Sequence, residues 1–138
     1  MKKLLCLFLV VIGFAGCGKD DGSYVPNVSV NFQAPLNDPR LIKLNSAGGA
    51  VTISGYGIAG LIIYHTGGDN YVAYDRCSSY QPEKRCAVTL DDTGLTATDP
   101  CSGAKFLLSD GSPVKAPATR SLKPYSVIAD KFNIFVSN

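Results

Sequence analysis

The chain has a single histidine, no run of five basic residues, and no apolar stretch long enough to cross a bilayer. Each shortage excludes something. A bilayer-spanning helix needs about 20 apolar residues, and the longest apolar run, Leu4 to Phe14, falls well short of that. Nucleic-acid binding leaves a basic footprint, and none is present. The formal excess of two positive charges comes entirely from Lys2 and Lys3, so residues 17–138 are neutral. A lone His65 cannot supply a pair of imidazoles, and in "IIYHT" it reads as a core residue bonded to a backbone carbonyl or as a surface residue. No 11-residue window carries the i, i+3, i+4 spacing of an amphipathic helix.

What the sequence has begins with "MKKLLCLFLVVIGFAGC". Two lysines, a short apolar run and small residues are the layout of a secretory leader over 1–16. "FAGC" resembles a bacterial lipobox, with Phe14 where leucine is usual. The resemblance implies that Cys17 is lipidated, with palmitate among its acyl groups, and becomes the new N-terminus. Several acyl chains hold a protein on a membrane where one does not. "CGKDDG" resembles the export signal of surface-exposed lipoproteins, and it also reads as a charged tether. The expected address is the outer membrane, at its periplasmic face or on the cell surface. The expected organisation is leader 1–16, lipid-anchored tether 17–26 and one β domain over 27–138.

Past the tether the pattern alternates with period two. "NVSVNF" places Val28, Val30 and Phe32 on one face. "GAVTISG" and "GLIIYHT" come next, the second apolar throughout, as expected of a strand covered on both sides. "NYVAYD" alternates, and "RCSSYQPEKRC" is a polar loop. "AVTL-DDTG-LTAT" reads as a hairpin with Asp91 and Asp92 in its turn, and "KFLL-SDG-SPV" as a smaller one. "YSVIAD" and "FNIFV" close the chain. Short strands with glycine and proline between them predict an all-β sandwich or small barrel.

Several stretches look like chemistry and read better as structure. "GYGIAG", residues 55–60, lacks a phosphate-loop lysine and a following helix, which leaves a sharp bend between strands. Ser102 in "CSGA" lacks the Gly-x-Ser-x-Gly frame. Tyr64, Tyr71, Tyr74 and Tyr80 could line a glycan- or peptide-binding face, but strand aromatics are usually core or cross-strand pairs.

The order of features from residue 45 to 130 resembles the Rieske iron–sulfur domain. Ala73, Tyr74 and Asp75 precede a first loop containing Cys77. Pro100 and Gly103 lie in a second loop, followed by Phe106, Gly111, Pro117, Ala118, Leu122 and Tyr125. The resemblance implies an antiparallel β-sandwich carrying a small two-loop subdomain. It also implies four ligand positions, which in the family are two cysteines and two histidines. Here they are Cys77, Ser79, Asp99 and Ser102. With three of the four donors replaced, no cofactor is expected. The leading reading is a cluster-free structural or interaction module with no catalytic residues, whose protein or glycan partner is unknown. The alternatives are an electron carrier with a [2Fe–2S] cluster and a cysteine-based redox protein.

Cys101 falls where some Rieske proteins carry a loop-bridging disulfide cysteine. Cys86 opens the hairpin that Cys101 closes, so the two could pair within disulfide range. Cys77–Cys101 is the competing bridge, since spacing does not fix connectivity. Cys77, Cys86, Cys101 and His65 together would also make a Cys₃His zinc set. No close Cys-x-x-Cys pair supports zinc, and export favours oxidation.

Overall fold

The structure, a computed structural model, describes residues 24–138. The leader 1–16, Cys17 and the tether up to residue 23 lie outside the described residues. The described residues form ten strands: β1 (Asn31–Pro35), β2 (Ala50–Ile53), β3 (Leu61–Gly67), β4 (Asn70–Asp75), β5 (Thr89–Leu90), β6 (Thr96–Thr98), β7 (Lys105–Leu107), β8 (Pro113–Lys115), β9 (Pro124–Ala129) and β10 (Asn133–Ser137).

β3 explains the architecture. Its side chains alternate between faces, and both faces are apolar. Leu61 and Ile63 point into one core, Ile62 and Tyr64 into another. The strand is therefore buried on both sides, as its unbroken apolar run predicts.

The larger sheet has the order β1-β10-β9-β4-β3-β2, with every pairing antiparallel. Its end strands share one core. Phe32 of β1 and Val51 and Ile53 of β2 belong to the same cluster as Ile134 and Val136 of β10. The sheet thus bends into a half-barrel around that core. The second sheet, β5-β6-β7-β8, lies on the opposite face of β3 and β4. Ala97 of β6 and Phe106 of β7 pack there with Ile62, Tyr64 and Tyr74. This is an antiparallel all-β architecture with a small second sheet, as the resemblance implies.

Gly111 shows how closely the sheets approach. It has φ +76°, and a Cβ there would meet the Tyr74 ring at 2.7 Å. Only glycine satisfies both the backbone and the ring.

Two details differ from the sequence reading. A seven-residue 3-10 segment, Pro39–Asn45, begins in the "PLNDPR" break and runs past its end. The Asp38 side chain accepts from the Arg40 N–H, Pro39 starts the turn, and Leu41 and Leu44 are fully buried three residues apart. An i, i+3 pair this short carries no helical period over 11 residues. The second correction concerns the tether. Tyr24–Pro26 belong to the body of the domain. Val25 is fully buried, the Tyr24 hydroxyl donates to the Ser121 carbonyl, and Lys123 Nζ donates to the Pro26 carbonyl at 2.9 Å.

Candidate functional site

Two loops meet at one end of the small sheet. The first runs from Arg76 to Val88, between β4 and β5, and the second from Asp99 to Ala104, between β6 and β7. The first loop is narrow at its base. Val88 N–H donates to the Arg76 carbonyl at 2.7 Å, Ser78 N–H donates to the Cys86 carbonyl at 2.8 Å, and Cys77 bridges Ala87. Its tip is a short 3-10 turn, Pro82–Lys84. Gln81 and Arg85 flank that turn with φ of 52° and 51°. Side chains other than glycine rarely hold that conformation.

Asp75 anchors the root of the first loop. Its carboxylate is fully buried and accepts four hydrogen bonds. Ile58 N–H (2.6 Å) and Ala59 N–H (3.1 Å) come from the "GYGIAG" bend, Cys77 N–H (2.8 Å) from the loop and the Tyr125 hydroxyl (2.8 Å) from β9. The bend is therefore a cradle for an internal carboxylate. Gly57 is needed in it, because at φ +64° a Cβ would lie 2.4 Å from Asp75 Oδ2. Burial, and then the bond to Asp75, push the Tyr125 hydroxyl far above the usual phenol range. It stays a donor at all ordinary pH.

Asp99 anchors the second loop. Oδ2 accepts from Ser78 Oγ at 2.7 Å and from Ser102 Oγ at 2.6 Å, and Oδ1 accepts from the Cys101 N–H at 2.8 Å. Ser78 and Asp99 are fully buried, so this bond ties the two loops together out of water. Burial pulls the Asp99 pKa up, but the donors from Ser102, Ser78 and the Cys101 and Ser102 N–H groups outweigh it, and the pKa ends below the usual carboxylate range.

A disulfide joins the same loops. Cys86 and Cys101 are bonded, with Cα atoms 6.3 Å apart. This is one of the two pairings left open by the sequence. Closing a loop of this span stabilises a fold by about 3 kcal/mol. The Cys86→Ala/Cys101→Ala chain should lose about that much in a urea titration, read from the midpoint at constant slope.

The four ligand positions of the resemblance lie on these two loops, and of the four side chains only Asp99 and Ser102 are bonded to each other. Cys77 is a free thiol, fully buried. Burial, and then the nearby Asp75, push it up to about 11, so it is a poor nucleophile at neutral pH. Ser79 Oγ donates to the Arg120 carbonyl at 2.6 Å. Among the described residues, the set that could share a metal ion is Cys86, Asp99 and Cys101. The Cys₃His combination does not assemble. The Cys86 and Cys101 sulfurs are joined to each other, and His65 lies on β3, stacked on Tyr71 at 4.6 Å with Nε2 against the Gly68 carbonyl at 2.7 Å.

The tyrosines do not form a binding face. Tyr64 and Tyr74 are buried in the second core, and of the four only Tyr80 lines the cavity at the loops. That cavity, of about 350 Å³, is open to solvent and bounded by Tyr80, Gln81, Lys84, Ser102, Pro117 and the disulfide.

Sequence alone does not single out Ser78 or the anchoring roles of Asp75 and Asp91. Asp91 opens its turn as expected, its carbonyl accepting from the Gly94 N–H at 2.9 Å. Its side chain also accepts from Thr96 Oγ1 and Thr98 Oγ1, both at 2.6 Å, and from Lys105 Nζ at 2.9 Å. Burial raises its pKa, but the Lys105, Thr96 and Thr98 donors prevail and bring it down to about 2. Asp91 and Asp99 set an acid limit. Both folded pKa values lie below the unfolded value of about 3.9. Their contribution is complete above that value and disappears as pH falls through the folded values. The urea midpoint should be level near neutrality and fall steeply below about pH 4. An Asp91→Asn chain should show a shallower fall.

No protein-family model matches the chain, and no curated protein matches it. Solved structures do. The chain is similar to the cyanobacterial plasma membrane Rieske protein of Synechocystis, at 21% identity, with 81% of this chain and 100% of that one covered and a TM-score of 0.55. It is also similar to the ferredoxin of carbazole 1,9a-dioxygenase from Nocardioides aromaticivorans. There the identity is 17%, coverage is 80% and 97%, and the TM-score is 0.52. These likenesses establish a Rieske-like fold.

Proposed function

We propose that the chain is a cell-envelope lipoprotein whose Rieske-like domain works without an iron–sulfur cluster, as a structural or interaction module. The observation that carries this reading is the Asp99 carboxylate, held between Ser78 and Ser102 where the family places its second cysteine. A Rieske centre needs two thiolates on one iron and two imidazoles on the other. The matching positions offer one thiol, two hydroxyls and a carboxylate, with no imidazole and no second thiolate among them. This donor set does not fit the cluster. The disulfide and the buried aspartate network fasten the two loops instead. The proposal assigns no catalytic residue to the described part of the chain.

The second reading, electron transfer through a [2Fe–2S] cluster, is favoured by the fold of the Rieske protein and ferredoxin to which the chain is similar. Donor chemistry weighs against it. An absorption spectrum of the purified protein separates the two. A colourless protein supports the module, and a brown one with visible bands overturns it.

The membrane part of the proposal rests on Cys17 and the leader before it. Among the described residues, no helix is long and apolar enough to cross a membrane. Lipid at Cys17 would supply the attachment, at the outer membrane on its periplasmic face or at the surface. The native protein should begin at Cys17 and carry the mass of acyl chains on it, whereas a Cys17→Ser chain should carry no acyl mass and retain residues 1–16. A native protein without acyl mass would contradict the anchor.

A further inference from the structure

Ligand-bearing side chains gather at one place among the described residues, and the proposed module has no use for that grouping beyond mechanical support. One ligand atom each from Cys86, Asp99 and Cys101 all lie within 4.8 Å of one another. A tetrahedral zinc ion has bonds of about 2.3 Å to sulfur and about 2.0–2.2 Å to oxygen, which places its ligand atoms roughly 3.5–4 Å apart. Three atoms already this close need only small side-chain rotations to share one ion.

We propose that Cys86, Asp99 and Cys101 form a latent site for a thiophilic divalent cation, closed while the disulfide stands and opened when a dithiol reduces it. The oxidised pair has no thiolate to offer. Cys101 is exposed and Cys86 partly so, and both border the solvent-open cavity. A reductant's thiolate can therefore reach the Cys101 sulfur. Attack there breaks the bond and releases Cys86 as a thiolate. The second thiol of the reductant then attacks its own bridged sulfur and releases Cys101. Two electrons and two protons pass from the dithiol to the protein disulfide, leaving two cysteines and an oxidised reductant.

The cation then takes both sulfurs as thiolates, and their protons go to solvent. Asp99 supplies an oxygen. Its hydrogen bonds from Ser78, Ser102 and Cys101 N–H already fix the carboxylate, the support that ligating side chains require from their surroundings. The cavity leaves the fourth position to water. Two sulfurs select a soft or borderline ion such as Zn²⁺ or Cd²⁺ over Ca²⁺ or Mg²⁺. Cys77 is sealed in the interior and takes no part.

The test uses the full chain carrying Cys6→Ser and Cys17→Ser, in mild detergent, so that the loop cysteines and Cys77 are the remaining thiols. It is reduced with a water-soluble phosphine and titrated with Cd²⁺, whose thiolate charge-transfer band reports sulfur ligation. The reduced chain should bind one Cd²⁺ with that band, and the oxidised chain none. Adding Asp99→Asn or Cys101→Ser should weaken binding at least about tenfold. Those variants disturb the loops, so a measurement on unaltered loops stands beside them. Cd²⁺ should raise the unfolding temperature of the reduced chain and leave the oxidised chain unchanged. No band on reduction, equal binding by the oxidised chain, undiminished binding by Cys101→Ser, or no thermal shift would each overturn the proposal.

Discussion

Replacing Asp75 with alanine should cost about 4–5 kcal/mol, a large part of the roughly 5–15 kcal/mol that holds a domain together. The carboxylate is buried and takes hydrogen bonds from Ile58 N–H, Ala59 N–H, Cys77 N–H and the Tyr125 hydroxyl. Those donors come from the β2–β3 bend, the first loop and β9, so one side chain joins three segments that are distant in sequence. Alanine would strand all four donors in the interior. Each unpaired buried group costs about 1–3 kcal/mol, and the costs are not fully additive. Tyr125→Phe removes one donor and leaves three, and should cost about 1 kcal/mol. Urea midpoints of the two variants provide the comparison. A loss below about 1 kcal/mol for Asp75→Ala would mean that water or the backbone replaces the carboxylate.

Asp99→Ala should cost about 3–4 kcal/mol, and the damage should be local. Asp99 accepts from Ser78, Ser102 and Cys101 N–H, so its removal unties the two loops without touching the half-barrel core. The disulfide would still hold Cys86 to Cys101. Hydrogen exchange should therefore accelerate over 76–88 and 99–104 and stay near native at Ile62 and Ile63. Ser102→Ala leaves Ser78 and the Cys101 N–H on the carboxylate, and should cost about 1 kcal/mol. If Asp99→Ala loosened the whole domain evenly, the division between a rigid body and a separately fastened tip would be wrong.

Strand faces could be read from the sequence because alternation is local. Phe32 points inward on β1, and the apolar "LIIY" of β3 is covered on both sides, as the pattern predicts. The Pro39–Asn45 turn escaped because two buried leucines three apart make no longer period. Tyr24–Pro26 looked like tether because glycine and charge precede them, and their contacts with Ser121 and Lys123 lie about a hundred residues away. Asp75 and Asp99 escaped for a related reason. An aspartate at a strand end is an ordinary turn residue until the chain brings donors to it from elsewhere. Asp75 depends on amides more than fifteen residues upstream and on a hydroxyl fifty residues downstream. The disulfide partner of Cys101 was equally a matter of distant geometry. Composition narrows such a pairing to a few options, and only the folded loops choose among them.

The most direct measurement is the iron and acid-labile sulfide content of the protein after anaerobic purification and an attempted reconstitution with ferrous iron and sulfide. With Ser79, Asp99 and Ser102 in place of a thiol and two imidazoles, gel-filtered protein should retain neither iron nor sulfide in stoichiometric amount. Two irons and two sulfides per chain, surviving gel filtration with a visible spectrum, would show that these loops grip a cluster after all and that electron transfer is their work.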